Sequence, residues 1–399
     1  MMRASPTAPV LIIGAGISGL ALAQGLRLNS IPFRLFERHP RSHGSQGHRL
    51  RVSPETVTAL DSILLPQSKS LFYQTGAEKG AFQPRYVAAK EFVFPSPTTA
   101  SHSQGIPIDR TWLRNLMMLG VDDAIEFEKE FTSYKVIEND KVCVSFGDGS
   151  WATGCFLVAA DGVKSRVRHQ LQPHRRLLDL ERWVIWGRTL LTESLRARLR
   201  DDQLTWFMAI DKEANVQVVL EPMVWKKSVT EASEYRLPDC HDYIYWALCT
   251  ETAPGGLLLP KSALERKEFL LNITKHWHPD LQLIFDMASH DLSTCVPVLS
   301  SKPDIEIHSS SHRGKVTLLG DSAHVMSHSP MGGSGGNTAI LNAVDLAQTI
   351  YRHGISQGAM DEVQERMAQR AKEKIEHSFE GGKKFWKGGE WFQYQESEV

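Results

Sequence analysis

The stretch Val10-Leu-Ile-Ile-Gly14-Ala-Gly16-Ile-Ser-Gly19 constrains this chain more than any other. Its aliphatic run suits a strand buried on both faces. Apolar residues at helical spacing follow in LALAQGLRLNS, and a second strand, Phe33–Phe36, ends in Glu37. Strand, GxGxxG, helix, strand and acidic residue within one βαβ length form a dinucleotide-binding pattern. Gly14 permits the tight turn, Gly16 lets a pyrophosphate approach, and Gly19 lets the helix pack closely on the strand. The phosphates meet the positive end of the helix that Ile17 and Ser18 open. Glu37 is placed to accept hydrogen bonds from ribose hydroxyls, and Arg38 joins the same cofactor-binding set. These residues alone leave open whether the dinucleotide is FAD or a nicotinamide cofactor.

A second glycine-rich stretch runs from Gly320-Asp321 through Pro330 to Asn337, with Gly332, Gly333, Gly335 and Gly336 around Ser334. Glycine loses more backbone entropy on folding than any other residue, so something must approach this backbone closely. Between the two loops, Arg49 and Arg51 alternate with Leu50 and Val52, which predicts a short strand with both guanidiniums on one face. They are candidates for contact with substrate or cofactor. A strand ending near Asp109 runs into a helix at Arg110, and a β-meander follows over Tyr134–Ile137, Lys141–Phe146 and a strand from Trp151. The strand Phe156–Ala160 ends in Asp161-Gly162, ahead of a basic helix. From 176 to 300 the glycines thin out, and strands are expected at Trp183–Thr189, Leu204–Ile210, Val216–Leu220 and Tyr243–Leu248. Trp186, Trp206 and Trp246 in this region are candidates for the wall of an apolar substrate pocket.

Composition excludes several classes. A formal net charge of -1 over 399 residues gives no field that recruits nucleic acid or an anionic membrane. The five cysteines are scattered and form no CxxC, which suits reduced thiols in a cytoplasmic setting. His276/His278 and His324/His328 lack a third ligand at a familiar spacing, so no metal site is expected. No integral membrane segment is expected, since no apolar stretch reaches spanning length. A small molecule is the expected partner, on a monomer or weak homodimer. A helix from Met360 to Phe379 is expected to pack on the body through Met360, Val363, Met367, Ala371 and Ile375, ahead of a loose or locally packed tail.

Taken together, Gly14-x-Gly16-x-x-Gly19 with Glu37, Asp161-Gly162, and Gly320-Asp321 with its loop resemble the three signatures of the single-component (group A) FAD-dependent aromatic monooxygenases. The resemblance runs in order from about Val10 to Ala347. It implies an α/β fold: a Rossmann-type FAD-binding domain with an inserted mixed β-sheet substrate domain and C-terminal helices. The corresponding segments are 1–175 and 301–358 for FAD, 176–300 for substrate, and 359–399 for the helix and tail. By the same resemblance Asp321 contacts the FAD ribityl chain or ribose, and Pro330 with Gly332, Gly333, Ser334, Gly335 and Gly336 lies against the isoalloxazine ring. Asn337 sits in the helix that they open. Arg49, Pro330 and Gly333 are the candidates at the reacting face, with no general base assigned. Arg110 and Asp161 are carried over as cofactor contacts, with Arg166 or Arg168 as phosphate partners.

The implied chemistry is reduction of FAD by transiently bound NADPH or NADH, reaction with O2 to a C4a-hydroperoxide, and oxygen transfer to a largely apolar aromatic or polycyclic molecule. A cyclase using a flavin pocket without net redox change and a flavin-dependent oxidase are alternatives, and a non-catalytic binding protein would hold no FAD. A halogenase would carry WxWxIP and a disulfide reductase CxxC, and neither is present. Ala159-Ala160, Ser322, Gly333-Ser334-Gly335 and Asn342 depart from the family's commoner residues.

Overall fold

The computed structural model describes residues 8–43, 47–79, 84–95, 105–138, 141–251, 258–305, 314–327 and 334–397. The chain begins β1 (Val10–Ile13), α1 (Ile17–Leu28), β2 (Phe33–Phe36), β3 (Arg49–Val52), α2 (Pro54–Ile63), α3 (Pro66–Thr75), β4 (Arg85–Ala88), β5 (Ile106–Asp109) and α4 (Arg110–Met118). It continues through β6 (Ile125–Glu126), a meander of β7 (Phe131–Ile137), β8 (Lys141–Phe146) and β9 (Trp151–Gly154), then β10 (Phe156–Ala159) and α5 (Arg166–Leu171). The next elements are β11 (Leu177–Leu190), α6 (Glu193–Arg196), β12 (Phe207–Asp211), β13 (Val216–Met223), α7 (Val229–Ala232) and β14 (Tyr243–Glu251). After them come α8 (Ala263–Ile273), α9 (Pro279–Asp286), β15 (Thr294–Ser300), β16 (Val316–Leu318), α10 (Gly335–His353), α11 (Gln357–Trp386) and β17 (Gln395–Ser397).

Two sheets organise these elements. The first is parallel throughout, in the order β16-β10-β1-β2-β6. Its central strands are aliphatic because both faces are covered: every residue of β1 and β10 is at most 3% exposed. Helices α1 and α10 cross closely, since a Cβ on Gly25 would sit 2.7 Å from the Ala347 methyl. The second sheet is mixed, ordered β15-β11-β14-β13-β12-β4, with β17 added on β11. Strand parity divides its residues between two environments. One face packs Ile185, Val218, Leu220, Trp246 and Leu248 against Leu270, Leu281 and Phe285 of α8 and α9. The other looks back toward β3 and α4.

Strand β4 precedes this sheet's main segment by about a hundred residues of chain, yet pairs parallel with β12. The C-terminal β17 pairs with β11. The tail is locally packed: α11 runs through Gly381 and Gly382 to Trp386, whose ring is 3% exposed beneath the Arg182 guanidinium. Along α11 the expected stripe, Met360, Val363, Met367, Ala371 and Ile375, is wholly buried. Leu204–Trp206 lie outside β12, which starts at Phe207. No helix among the described residues is long and apolar enough to cross a membrane.

Candidate functional site

A cleft of about 230 Å³ opens at the carboxyl ends of β1, β2 and β10, lined among others by Gly14, Gly16, Glu37, Arg38, Arg110 and Asp161. The three glycines of the β1–α1 turn do three different things. Gly14 has φ +106°, and a Cβ there would meet the Ala160 carbonyl at 2.3 Å. A Cβ on Gly19 would lie 2.0 Å from the Gly14 carbonyl oxygen, so helix and turn touch backbone to backbone. A Cβ on Gly16 would meet nothing within 4 Å, because that residue faces the open cleft. Gly16 is also the N-cap of α1 and supplies no side chain to its first N–H groups. Uncapped helix donors beside open space suit an anionic phosphate.

Glu37 closes the end of β2. Its two carboxylate oxygens accept from the Ala15 and His39 N–H groups, each at 2.9 Å. Arg114 donates to the Ala15 carbonyl at 3.1 Å and lies close enough to Glu37 to interact with its charge. Arg38, His39, Lys129, Lys164 and Arg166 give the cleft a basic rim. Arg166 is paired with Glu130 at 2.6 Å. Arg168 is buried and turns inward, donating to the Val163 carbonyl at 2.6 Å, so it braces the Asp161-Gly162 turn rather than facing the cleft. Replacing Glu37 with alanine is expected to weaken FAD binding by about 10- to 100-fold, the size of a lost charged hydrogen-bonding group. Titration of flavin fluorescence measures it.

Two further carboxylates stand at the strand ends. Asp161 accepts from the Ser165 hydroxyl at 2.5 Å and from the Val167 N–H at 3.4 Å, while burial pushes its carboxyl up. Asp321 is accessible to solvent yet deep among protein atoms, so desolvation raises its carboxyl against the pull of Arg110 and Arg168. Gly320 before it has φ +64°, and a Cβ there would collide with the Ser18 hydroxyl at 2.6 Å. Ser18 therefore backs the Gly320 turn, and Ile17 is buried beside it. Ser322, one of the departures from the family pattern, has a structural task. Its hydroxyl bonds the Ala159 carbonyl at 2.6 Å and accepts from the Leu319 N–H at 3.1 Å, joining β10 to the end of β16. Asn342, another departure, is buried between His324 at 3.1 Å and Arg370.

Pro330, Gly332, Gly333 and His328 lie outside the described residues. Ser334, Gly335 and Gly336 begin α10, and a Cβ on Gly336 would sit 2.9 Å from Leu50 of β3. The Asn337 side chain secures the same strand: its amide donates to the Arg51 carbonyl at 3.0 Å and its oxygen accepts from the Ser53 N–H at 2.9 Å. One end of that amide group is thus engaged by β3 and the other by the residue that caps α2.

Arg49 and Arg51 do share a face, and both reach Glu221 on β13: Arg49 at 2.7 Å, Arg51 in direct contact. Trp186 lies on the same side of the second sheet. Its indole nitrogen and the Arg110 side chain both approach the position a Cβ on Gly47 would take, at 3.6 and 3.5 Å. Trp246 is different. It pairs with Gly187, points to the helix-covered face, is fully buried, and donates to the Thr189 hydroxyl at 3.1 Å. It belongs to the core instead of a pocket wall. Trp206 is also buried, edge-on to Tyr86 near the strand β4 margin.

The face of the second sheet turned toward β3 and α4 carries polar residues that the sequence pattern does not mark out. Arg188, Tyr245 and Glu221 are neighbours across β11, β14 and β13. Tyr243 donates to Asp109 at 2.8 Å and lies 5.5 Å beneath the Arg188 guanidinium. A charged residue inside a strand with no other charge, such as Glu221 after Val216–Leu220, was the available signal.

Comparison with known proteins agrees with this geometry. Residues 306–375 match the profile of an FAD binding domain. The chain is 34% identical over 386 residues, 87% of its length, to the dual O-methyltransferase/FAD-dependent monooxygenase elcB of Phaeosphaeria nodorum. It spans less than half of that relative's length, 40%. It is 26% identical to the FAD-dependent monooxygenase dbaB of Emericella nidulans, with 88% of each chain covered. Among solved structures, Klebsiella pneumoniae HpxO complexed with FAD and uric acid shares the fold, with a TM-score of 0.74 at 20% identity over 97% of this chain and 90% of that one.

Proposed function

We propose that this chain, which is similar to FAD-dependent monooxygenases over most of its length, is itself one, and that it uses NADPH or NADH and O2 to insert one oxygen atom into a largely apolar aromatic or polycyclic small molecule. The balance is substrate-H plus O2, NAD(P)H and a proton giving substrate-OH, NAD(P)+ and water. Bound FAD supplies the electron transfer and oxygen activation. The observation that carries the reading is the joining of two half-sites. Arg110 lines the cleft at Gly14 and Gly16, and its charge also acts on Asp321 and on Tyr245, the neighbour of Glu221 in the second sheet.

Each protein group has a distinct task in this reading. The α1 N-terminus and the basic rim hold the pyrophosphate, and Glu37 holds the adenosine ribose. Asp321, fixed beside Arg110, takes the polyol between phosphate and ring. Segment 176–300 supplies the substrate wall, where Trp186 and Tyr245 orient a flat molecule and keep water from the reacting atoms. Asn337, by holding the end of β3, sets where Arg49 and Arg51 stand. The fusion of a methyltransferase with the monooxygenase in the Phaeosphaeria relative favours a hydroxylated aromatic substrate. Incubation under ¹⁸O2 with NADPH tests the reading: one labelled atom in the product is expected, and a product made without label or nicotinamide consumption would overturn it.

A further inference from the structure

A second cavity, of about 470 Å³, opens at the end of the second sheet, where β11 and β14 meet the segment that follows β13. Leu190, Leu191, Trp225 and Cys240 give it an apolar lining inside a polar rim. The rim carboxylates are occupied within the protein. Asp239 accepts from the Val229 N–H at 2.8 Å, and Asp242 accepts from the Trp225 N–H at 3.0 Å and pairs with Arg196 at 3.1 Å. Leu190 remains 42% exposed at the end of β11. Strand alternation sets it on the same face as Trp186 and Arg188, so the cavity continues the face that carries the substrate wall. Tyr243 stands where the two meet. It is the cross-strand partner of Leu190, its ring lies 6.0 Å from that of Trp225, and the Arg188 guanidinium lies 5.5 Å from it. The ring is 1% exposed, and its hydroxyl donates to Asp109 at 2.8 Å and lies 3.2 Å from the His48 carbonyl. That carbonyl also accepts from the N–H of Arg110, which lines the cofactor cleft. Tyr243 thus reaches from the cavity to the first residues of α4 and is tied there at its tip.

We propose that this cavity is the port by which a flat, largely apolar aromatic substrate enters, with Tyr243 as the residue that admits it by letting go of Asp109. The inference rests on the monooxygenase reading, in which that substrate lies along Trp186 and Tyr245. A site that keeps water from its reacting atoms needs a passage that opens for transit and closes afterwards. The cavity has the size and the apolar lining of a small-molecule pocket, and its polar rim is already hydrogen-bonded to the protein. Turning the Tyr243 ring aside joins Leu190 to Arg188 and Trp186 along one strand face. Such a role has a kinetic signature. A residue met only in passage changes the barrier and leaves the free and bound states as they were. Association and dissociation then shift by the same factor, and affinity stays constant.

The test uses the FAD-loaded protein and 2-naphthol, with binding followed by stopped flow through the flavin absorption. Leu190→Trp narrows the port and is expected to lower both rate constants by about tenfold, with Kd held within about twofold. Tyr243→Phe lacks the hydroxyl that holds Asp109 and is expected to raise both by about fivefold, the size of one lost hydrogen bond. Leu190→Ala moves both rates in the same direction as Tyr243→Phe, from an exposed position where folding is not at stake. Damage to packing around Tyr243 would weaken Kd and lower the thermal midpoint, and could not speed association. A Leu190→Trp protein in which dissociation alone changes places Leu190 in the resting site and overturns the proposal. Rates that none of the variants alters overturn it too, because the ligand then enters elsewhere. So does a wild-type flavin spectrum that 2-naphthol leaves unchanged. Paired rate shifts in a protein that inserts no oxygen would remove the monooxygenase reading while leaving the port in place.

Discussion

Gly16→Val is expected to abolish FAD retention while leaving the protein folded, and Gly19→Ala to do the reverse in kind. The contrast follows from what each new carbon would meet. Around Gly16 there is open space, and the residue already has φ -79° in the extended region, which valine adopts without strain. Its side chain would occupy the approach of the pyrophosphate to α1, so FAD binding should fall by about a hundredfold or more with little change in Tm. At Gly19 the added methyl would lie 2.0 Å from the Gly14 carbonyl oxygen, a backbone atom in a turn that is itself pressed against Ala160. Neither side can yield without parting α1 from the first sheet. A loss of about 3 kcal/mol or more is expected, seen as a lower thermal midpoint even in the apoprotein. Differential scanning fluorimetry with and without FAD separates the two outcomes. A Gly16→Val protein that retains flavin would contradict the placement of the phosphates.

Acidification is expected to destabilise the fold through two buried imidazoles. Burial holds His48 and His324 each down to about 4, from an ordinary value of 6.5. His48 is further depressed by the neighbouring Arg188 and Arg110, and His324 by Arg175 and Arg370. In the unfolded chain both take up a proton as the pH falls below 6.5, and in the native protein they resist until about 4. The unfolded state therefore binds more protons across that window. Stability is fully present above pH 6.5 and falls as the pH drops toward 4, by about 3 kcal/mol for each histidine. The Asn342 amide donates to His324 Nε2, because its oxygen accepts from Arg370. His324→Gln removes one titration, so its urea-unfolding free energy should decline less steeply between pH 6.5 and 4.5 than that of the wild type. Parallel slopes would show that His324 is not held neutral.

What could be read in advance divides along physical lines. The turn at Gly14 and the close packing at Gly19 were legible because a βαβ turn is built from adjacent residues, and the stripe of α11 because helical periodicity is local. The recruitment of β4 and β17 to the second sheet was not, since pairing across more than a hundred residues leaves no mark in either short segment. The tryptophans show the same limit more sharply. Trp186 and Trp246 have similar surroundings in sequence, but the register that sets Gly187 opposite Trp246 sends the two rings to opposite faces. The row Arg188–Tyr245–Glu221 likewise exists only once three strands are in register. Ser322 and Asn342 were visible as departures, yet their tasks depend on the Ala159 carbonyl and on Arg370, which lie far away in the chain.

We propose above that this fold holds FAD for nicotinamide-driven oxygenation beside an aromatic-walled site. It is tested most directly by the absorption spectrum of the purified, FAD-supplemented protein, followed through anaerobic addition of NADPH or NADH with and without an aromatic ligand. A bound-flavin spectrum that bleaches on nicotinamide addition, and faster when the ligand is present, is expected. Absence of bound flavin after supplementation, or bound flavin that neither nicotinamide reduces with any aromatic ligand, would contradict it.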